Sequence, residues 1–132
     1  MTSFFDTNVF VYAFLQGSKQ APARRVLADG GAISAQVLNE FVNAMRRKHQ
    51  RSWRDIEDAL AVILDRFPDV VPLTEATNAE ALALARDHGL AFSDALIVAA
   101  ANEAKCEKLY SEDLQHGRRF GQLVVVNPFL QA

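Results

Sequence analysis

Two periodicities divide this chain. Ser3–Asp6 opens it as an apolar, aromatic run that stops at a carboxylate. That is the pattern of a buried strand delivering Asp6 to its carboxyl end. Thr7 and Asn8 are turn-prone, and the apolar character then resumes, predicting a short helix over Val9–Leu15 that ends near Gly17. Ala21–Ala28 reads as a second helix, with Pro22 tolerated in its first turn and Gly30–Gly31 past its end. Ala32–Ser34 is a short strand, and Ser34 can cap a helix from Ala35 to about Lys48. The clearest helix follows. Ser52 is its cap, Asp55 stands three residues on as in a capping box, and Ile56, Ala59, Leu60, Ile63, Leu64 and Phe67 keep the i, i+3, i+4, i+7 spacing of one buried face. Its acids, Asp55, Glu57, Asp58 and Asp65, fall mostly on the other face. Val70–Leu73 is a third strand, with Pro72 marking an edge because proline cannot donate to the ladder. A helix beginning between Thr74 and Thr77 stops before Gly89, and Thr77 with Glu80 also fits a capping box. Another helix runs from Ser93 to about Ala104. Lys108–Ser111 and Leu123–Val126 are the last strands, the second stopped by Asn127–Pro128.

Strands alternating with helices predict an α/β fold, with a mostly parallel, about five-stranded sheet covered by helices on both faces. No linker, repeat or low-complexity segment interrupts the pattern, so residues 1–132 read as one domain. The helices near 77–88 and 93–104 break the alternation, since no strand separates them.

Composition narrows the class. Fourteen basic and sixteen acidic residues give a net charge of −2, which argues neither for nor against nucleic acid. Cys106 is the single cysteine and can form no internal disulfide, which fits a reducing compartment and a buried structural thiol. There is no basic segment followed by an apolar signal region, and no apolar run long enough to span a bilayer. A soluble, cytoplasmic protein is expected.

Topology then gathers distant carboxylates. In a parallel sheet the carboxyl ends of all strands lie on one edge, and each crossover helix starts there. Asp6 ends the first strand and Asp113 lies just past the fourth. Asp94 is in the first turn of the helix feeding that fourth strand. Glu40 lies on the second turn of the helix after strand two, roughly 8 Å along its axis, beside the buried arc of Val37, Phe41, Ala44 and Met45. Carboxylates sharing one cleft repel each other, and a hard divalent cation relieves that repulsion. Oxygen donors favour Mg²⁺ or Mn²⁺, and the chemistry suggested is attack by metal-activated water on a phosphodiester. His49, His88 and His116 are scattered and no Cys/His ligand spacing exists, which argues against zinc.

These residues carry a resemblance. Asp6-Thr7-Asn8, Glu40 within Gln36-Val37-Leu38-Asn39-Glu40-Phe41, Ser93-Asp94-Ala95-Leu96-Ile97, and Tyr110-Ser111-Glu112-Asp113-Leu114-Gln115-His116-Gly117 resemble PIN-domain ribonucleases, and more closely the VapC-type toxins of toxin–antitoxin pairs. The likeness covers essentially the whole chain in length and motif order. It implies a PIN-like α/β/α sandwich, Mg²⁺- or Mn²⁺-dependent endoribonuclease activity, a homodimer, and neutralisation by a cognate antitoxin. It also implies that Asp6, Glu40, Asp94 and Asp113 form the acidic metal-binding and catalytic set, that Asn8 hydrogen-bonds and orients it, and that Ser111 supports it with a hydroxyl. It leaves the role of Glu112 open.

An RNA substrate also needs positive surface. Arg46, Arg47, Lys48, His49, Arg51 and Arg54 cluster where one helix ends and the next begins, and Arg118 and Arg119 follow Asp113. Such groups can contact phosphates or simply complement a helix dipole. The apolar Val9, Phe10, Val11, Tyr12 and Phe14 exceed one buried face, which predicts that a second copy covers part of them. Competing readings fare worse. A haloacid-dehalogenase-type phosphatase wants an acid where Asn8 stands. A receiver domain wants paired acids and a late lysine, and Gly121–Pro128 contains none. A non-catalytic RNA- or protein-binding module of the same fold is the alternative, and losing one of the four acids would have favoured it.

Overall fold

β1 (Ser3–Phe5) is where the two halves of the sheet meet. In the computed structural model, which describes residues 2–130, β1 pairs in parallel with β4 (Lys108–Tyr110), and β4 with β6 (Leu123–Val126). On its other side a single parallel bridge from Phe4 to Ala32 leads to the pair formed by β2 (Ile33–Ser34) and β3 (Val70–Val71). The bridge needs Gly31. Its φ is +152°, and a Cβ there would run into the Ser3 carbonyl oxygen and the Phe5 ring. Helices complete the α/β/α sandwich around this mostly parallel sheet. Phe4, Phe5, Phe10, Phe41, Leu109 and Leu123 are buried at its centre. Phe5, Phe10 and Phe67 meet edge to face at 5.3–6.1 Å between centroids, a geometry that aromatic quadrupoles favour.

The helices follow the pattern with corrections. α1 spans Thr7–Phe14, because Asp6 accepts the Thr7 N–H and starts the helix two residues earlier than the apolar run suggests. Its Val9, Phe10, Val11 and Ala13 are all buried within the chain. The apolar surplus that predicts a second copy is therefore largely covered by the chain's own core. α2 is Gln20–Leu27. The single helix predicted from Ala35 to Lys48 is α3 (Ala35–Asn43), capped by Ser34, followed by a π-helical turn at Ala44–Lys48. Gln50, with φ +52°, then reverses the chain. α4 (Trp53–Arg66) has the predicted Ser52 cap, but Leu64 is 42% exposed and lies off the buried face.

β3 stops before Pro72 and pairs only with β2, which is the edge position that Pro72 signals. α5 (Glu75–His88) is capped by Thr74 in a reciprocal box with Thr77, so the box sits three residues before the Thr77–Glu80 reading. Gly89, in the left-handed region, turns the chain into α6 (Phe92–Glu103), and the two helices pack together through Ala81, Ala95, Leu96 and Ala99. α6 starts one residue before Ser93, with Ala91 as its cap. Its unbroken buried run Ala95–Ala101 marks an interior helix. One strand escapes the sequence pattern. β5 (Arg119–Phe120) folds back antiparallel on β6 through a tight turn at Gly121, φ +65°. No helix among the described residues is long and apolar enough to cross a membrane.

Candidate metal centre

Parallel pairing puts the ends of β1, β4 and β6 side by side. The Asp6 N–H donates to the Tyr110 carbonyl and the Ser111 N–H to the Val126 carbonyl, both at 3.0 Å. Asp6 and Ser111 are therefore fixed before their side chains make any contact. The Ser111 hydroxyl then donates to Asp6 Oδ2 at 2.7 Å, and the Thr7 N–H to Asp6 Oδ1 at 2.7 Å. Ser111 Oγ also accepts the Asp113 N–H at 3.2 Å. One hydroxyl thus ties the acid that ends β1 to the backbone of the acid that follows β4. Asp94 arrives from the first turn of α6. Carboxylate oxygens of Asp6, Asp94 and Asp113 all lie within 4.8 Å of one another.

Glu40 is the fourth acid and stands beside this group rather than in it. Gln36, one turn earlier on α3, donates to its Oε2 at 2.9 Å, and the Thr7 hydroxyl approaches its Oε1 at 3.5 Å, long for an O–H···O bond. Gln36 and Thr7 are support that sequence reasoning does not assign. Their signals are available in the i, i+4 spacing of Gln36 and Glu40 and in the adjacency of Thr7 to Asp6.

The electrostatics are those of a site short of positive charge. Burial pushes the Asp6 carboxyl up from 3.8 to about 7, against the hydrogen bonds from Ser111 and Thr7 and with help from the charges of Asp113 and Glu40. Burial also raises Glu40, with Asp94 and Asp113 adding to the rise and the Gln36 hydrogen bond opposing it. Asp94 is raised by burial and then by Asp113. Asp113 is raised by burial and by Glu112, while Lys48 and Lys19 pull it back. Four neighbouring acids that each resist ionisation form a cluster that an added positive charge would stabilise. Three converging oxygen donors, with no thiolate or imidazole among them, fit a hard divalent ion such as Mg²⁺ or Mn²⁺.

Glu112 belongs to a different group. Its Oε2 accepts Lys19 Nζ at 2.8 Å, and its Oε1 accepts Asn8 Nδ2 at 3.3 Å and the Tyr12 hydroxyl. Lys19 Nζ lies 4.7 Å from the Tyr12 ring centroid and 5.6 Å from that of Phe129. Asn8 therefore donates to Glu112 and not to the four acids it resembles a partner of. Glu112 ties the segment carrying Asp113 to α1 and to the entry of α2. No local sequence signal marks Lys19, which is 93 residues away from its partner. Arg118 is also engaged elsewhere, donating to the His88 carbonyl at 2.7 Å at the end of α5. Cys106 is buried and free.

The family model of the PIN domain matches residues 3–119. No curated protein matches the chain. Among solved structures, the chain is similar to one in a toxin–antitoxin complex from Klebsiella pneumoniae, with a TM-score of 0.73 and 22% identity over 97% of this chain and 98% of that one. It is similar to VapC20 of Mycobacterium tuberculosis, a sarcin–ricin-loop-cleaving toxin, with a TM-score of 0.71 and 20% identity over 83% and 88% of the two chains. A chain of VapBC2 from Rickettsia felis, bound to a DNA fragment from its promoter, gives a TM-score of 0.68 and 20% identity over 95% and 97%. At such identities the likeness is one of fold.

Proposed function

The chain belongs to the PIN-domain family, and from that premise we propose that it is a metal-dependent endoribonuclease acting as the toxin of a toxin–antitoxin pair in the cytoplasm. The observation that carries the proposal is the convergence of Asp6, Asp94 and Asp113 oxygens within 4.8 Å. Asp6, Asp94 and Asp113 would hold Mg²⁺ or Mn²⁺, with Glu40 beside them. A bound ion of this kind lowers the pKa of water and offsets charge on a phosphodiester.

The chain's own residues do the rest. Ser111 and the Thr7 N–H hold both oxygens of Asp6, so that carboxylate presents a fixed face. Glu40, raised by its burial and kept in place by Gln36, is suited to take a proton from an attacking water. The toxin role and the antitoxin partner draw support from the likeness to toxin–antitoxin chains. A homodimer is proposed on the family resemblance alone, since the buried α1 gives it little support.

The test is incubation of the purified protein with structured RNAs and Mg²⁺ or Mn²⁺, with and without EDTA, alongside calorimetric titration with Mn²⁺. Metal-dependent internal cleavage and a Mn²⁺ isotherm are expected. Cleavage that persists in EDTA would sink the proposal, as would the absence of Mn²⁺ binding.

A further inference from the structure

Trp53 has no place in the acid cluster or in the core. It is the chain's single tryptophan and is 55% exposed. It is the first residue of α4, and the Arg46 guanidinium carbon lies 4.5 Å from its ring centroid. That stack is held from behind, because Arg46 Nη1 donates to the Arg51 carbonyl at 3.1 Å. The π-helical turn at Ala44–Lys48 and the left-handed Gln50 bring Arg46 back to α4. Arg47, Lys48, Arg51 and Arg54 are exposed around the same turn. Among the described residues none of these cations is in an ion pair.

An indole left in water is costly, and a guanidinium over the ring fixes its orientation while more than half of the residue stays exposed. Several unpaired cations around it make a surface complementary to a polyanion. An aromatic face set among cations is what an unpaired nucleotide meets in single-strand binding: the base stacks and the phosphates find charge. The patch also continues from the helix that carries Glu40, and the charge of Lys48 is felt at Asp113.

We propose that Trp53, braced by Arg46, is a stacking platform for an unpaired base of single-stranded RNA whose phosphates lie along Arg47, Lys48, Arg51 and Arg54. The platform gives the ribonuclease reading a substrate contact outside the acid cluster. Its consequence for cleavage rests on that reading, but its binding does not.

Because Trp53 is the sole tryptophan, its fluorescence reports the platform directly. The full chain is titrated in EDTA with an oligoadenylate of about 12 nucleotides and with an RNA duplex of equal length. Saturable quenching by the single strand, weaker quenching by the duplex, and loss of affinity with added salt are expected. With a dye-labelled single strand, Trp53→Ala should bind at least about fivefold more weakly, and Trp53→Phe should stay within about threefold of wild type. With metal present, Trp53→Ala should raise KM and leave kcat within about twofold. Equal quenching by both RNAs, no quenching, or unaltered affinity of Trp53→Ala would overturn the platform. RNA cleavage without quenching removes the platform alone. Quenching without any cleavage keeps the platform and removes the ribonuclease.

Discussion

Taking the metal-free protein from pH 5 to pH 8 should destabilise it, and Asp6 sets the size of the loss. Its carboxyl is raised from 3.8 to about 7 by burial. The folded state therefore keeps a proton on Asp6 between about pH 4 and pH 7, where the unfolded chain has already lost it. A group raised in this way contributes stability that is complete below its unfolded pKa and is lost as the pH rises through its folded one. At about 1.4 kcal/mol per pH unit, the loss between pH 5 and pH 8 is roughly 2–3 kcal/mol. Glu40, Asp94 and Asp113 are shifted in the same direction, so their contributions have the same sign. For a domain of this size the midpoint should fall by on the order of 10 °C. The assay is a set of melting curves in EDTA across that pH range for wild type and Asp6→Asn. The variant cannot ionise there, so its midpoint should vary far less. Added Mn²⁺ should stabilise wild type more at pH 8 than at pH 5, since ligands must lose their protons to bind it. Equal wild-type midpoints at the two pH values, or the same slope in Asp6→Asn, would refute the reasoning.

Asp94→Asn should abolish cleavage while leaving the metal-free protein at least as stable as wild type, because it removes a charge opposed by Asp113 and costs at most about 1 kcal/mol at the helix start. Melting curves should show wild type gaining more from millimolar Mn²⁺, with roughly 2.7 kcal/mol available at 100 times the dissociation constant; a mutant melting far below wild type in EDTA would make Asp94 a structural residue. Glu112→Ala should cost about 1–2 kcal/mol by leaving Asn8, Tyr12 and Lys19 without their shared acceptor, and should slow cleavage by loosening the segment that carries Asp113. Lys19→Met should cost less than about 1 kcal/mol, its side chain being 40% exposed; chemical denaturation of both variants checks the order, and equal costs would mean that the other two donors contribute nothing.

What was legible in the sequence was whatever a local pattern or a topological rule determines. Asp6 could be placed because an aromatic strand stops on it, and Asp94 and Asp113 because parallel strands and crossover helices share an edge. The acids met as that rule requires. Glu40 was legible as inward-facing, but its place beside the other three rather than among them is set by the tertiary fold, which periodicity does not contain. The π-helical turn at Ala44–Lys48 was hidden because its residues are ordinary helix formers. β5 is two residues long and owes its existence to pairing with β6, so no alternation announces it. Asn8 was assigned to the acids by the family resemblance, and its amide donates to Glu112 instead. Tyr12 and Lys19 instead complete a separate network around Glu112, and only the tertiary fold brings those groups together.

The same contacts that hold the site also explain why it is expensive. Asp6 is almost wholly buried, and both its oxygens are already spoken for by Ser111 and Thr7. Those hydrogen bonds favour the ionised carboxylate and fix its direction, but they do not offset the cost of burying its charge. Three more acids then surround it, all shifted toward protonation. A stability-driven sequence would place an apolar residue or a plain cap at that strand end. The proposed metal ion would offset the cost of the buried acid, because oxygens already fixed in place need not reorganise to receive a small cation. The instability of the empty site and its readiness to bind are thus one property, and the pH dependence of folding and the metal dependence of cleavage should fail together in any variant that frees Asp6.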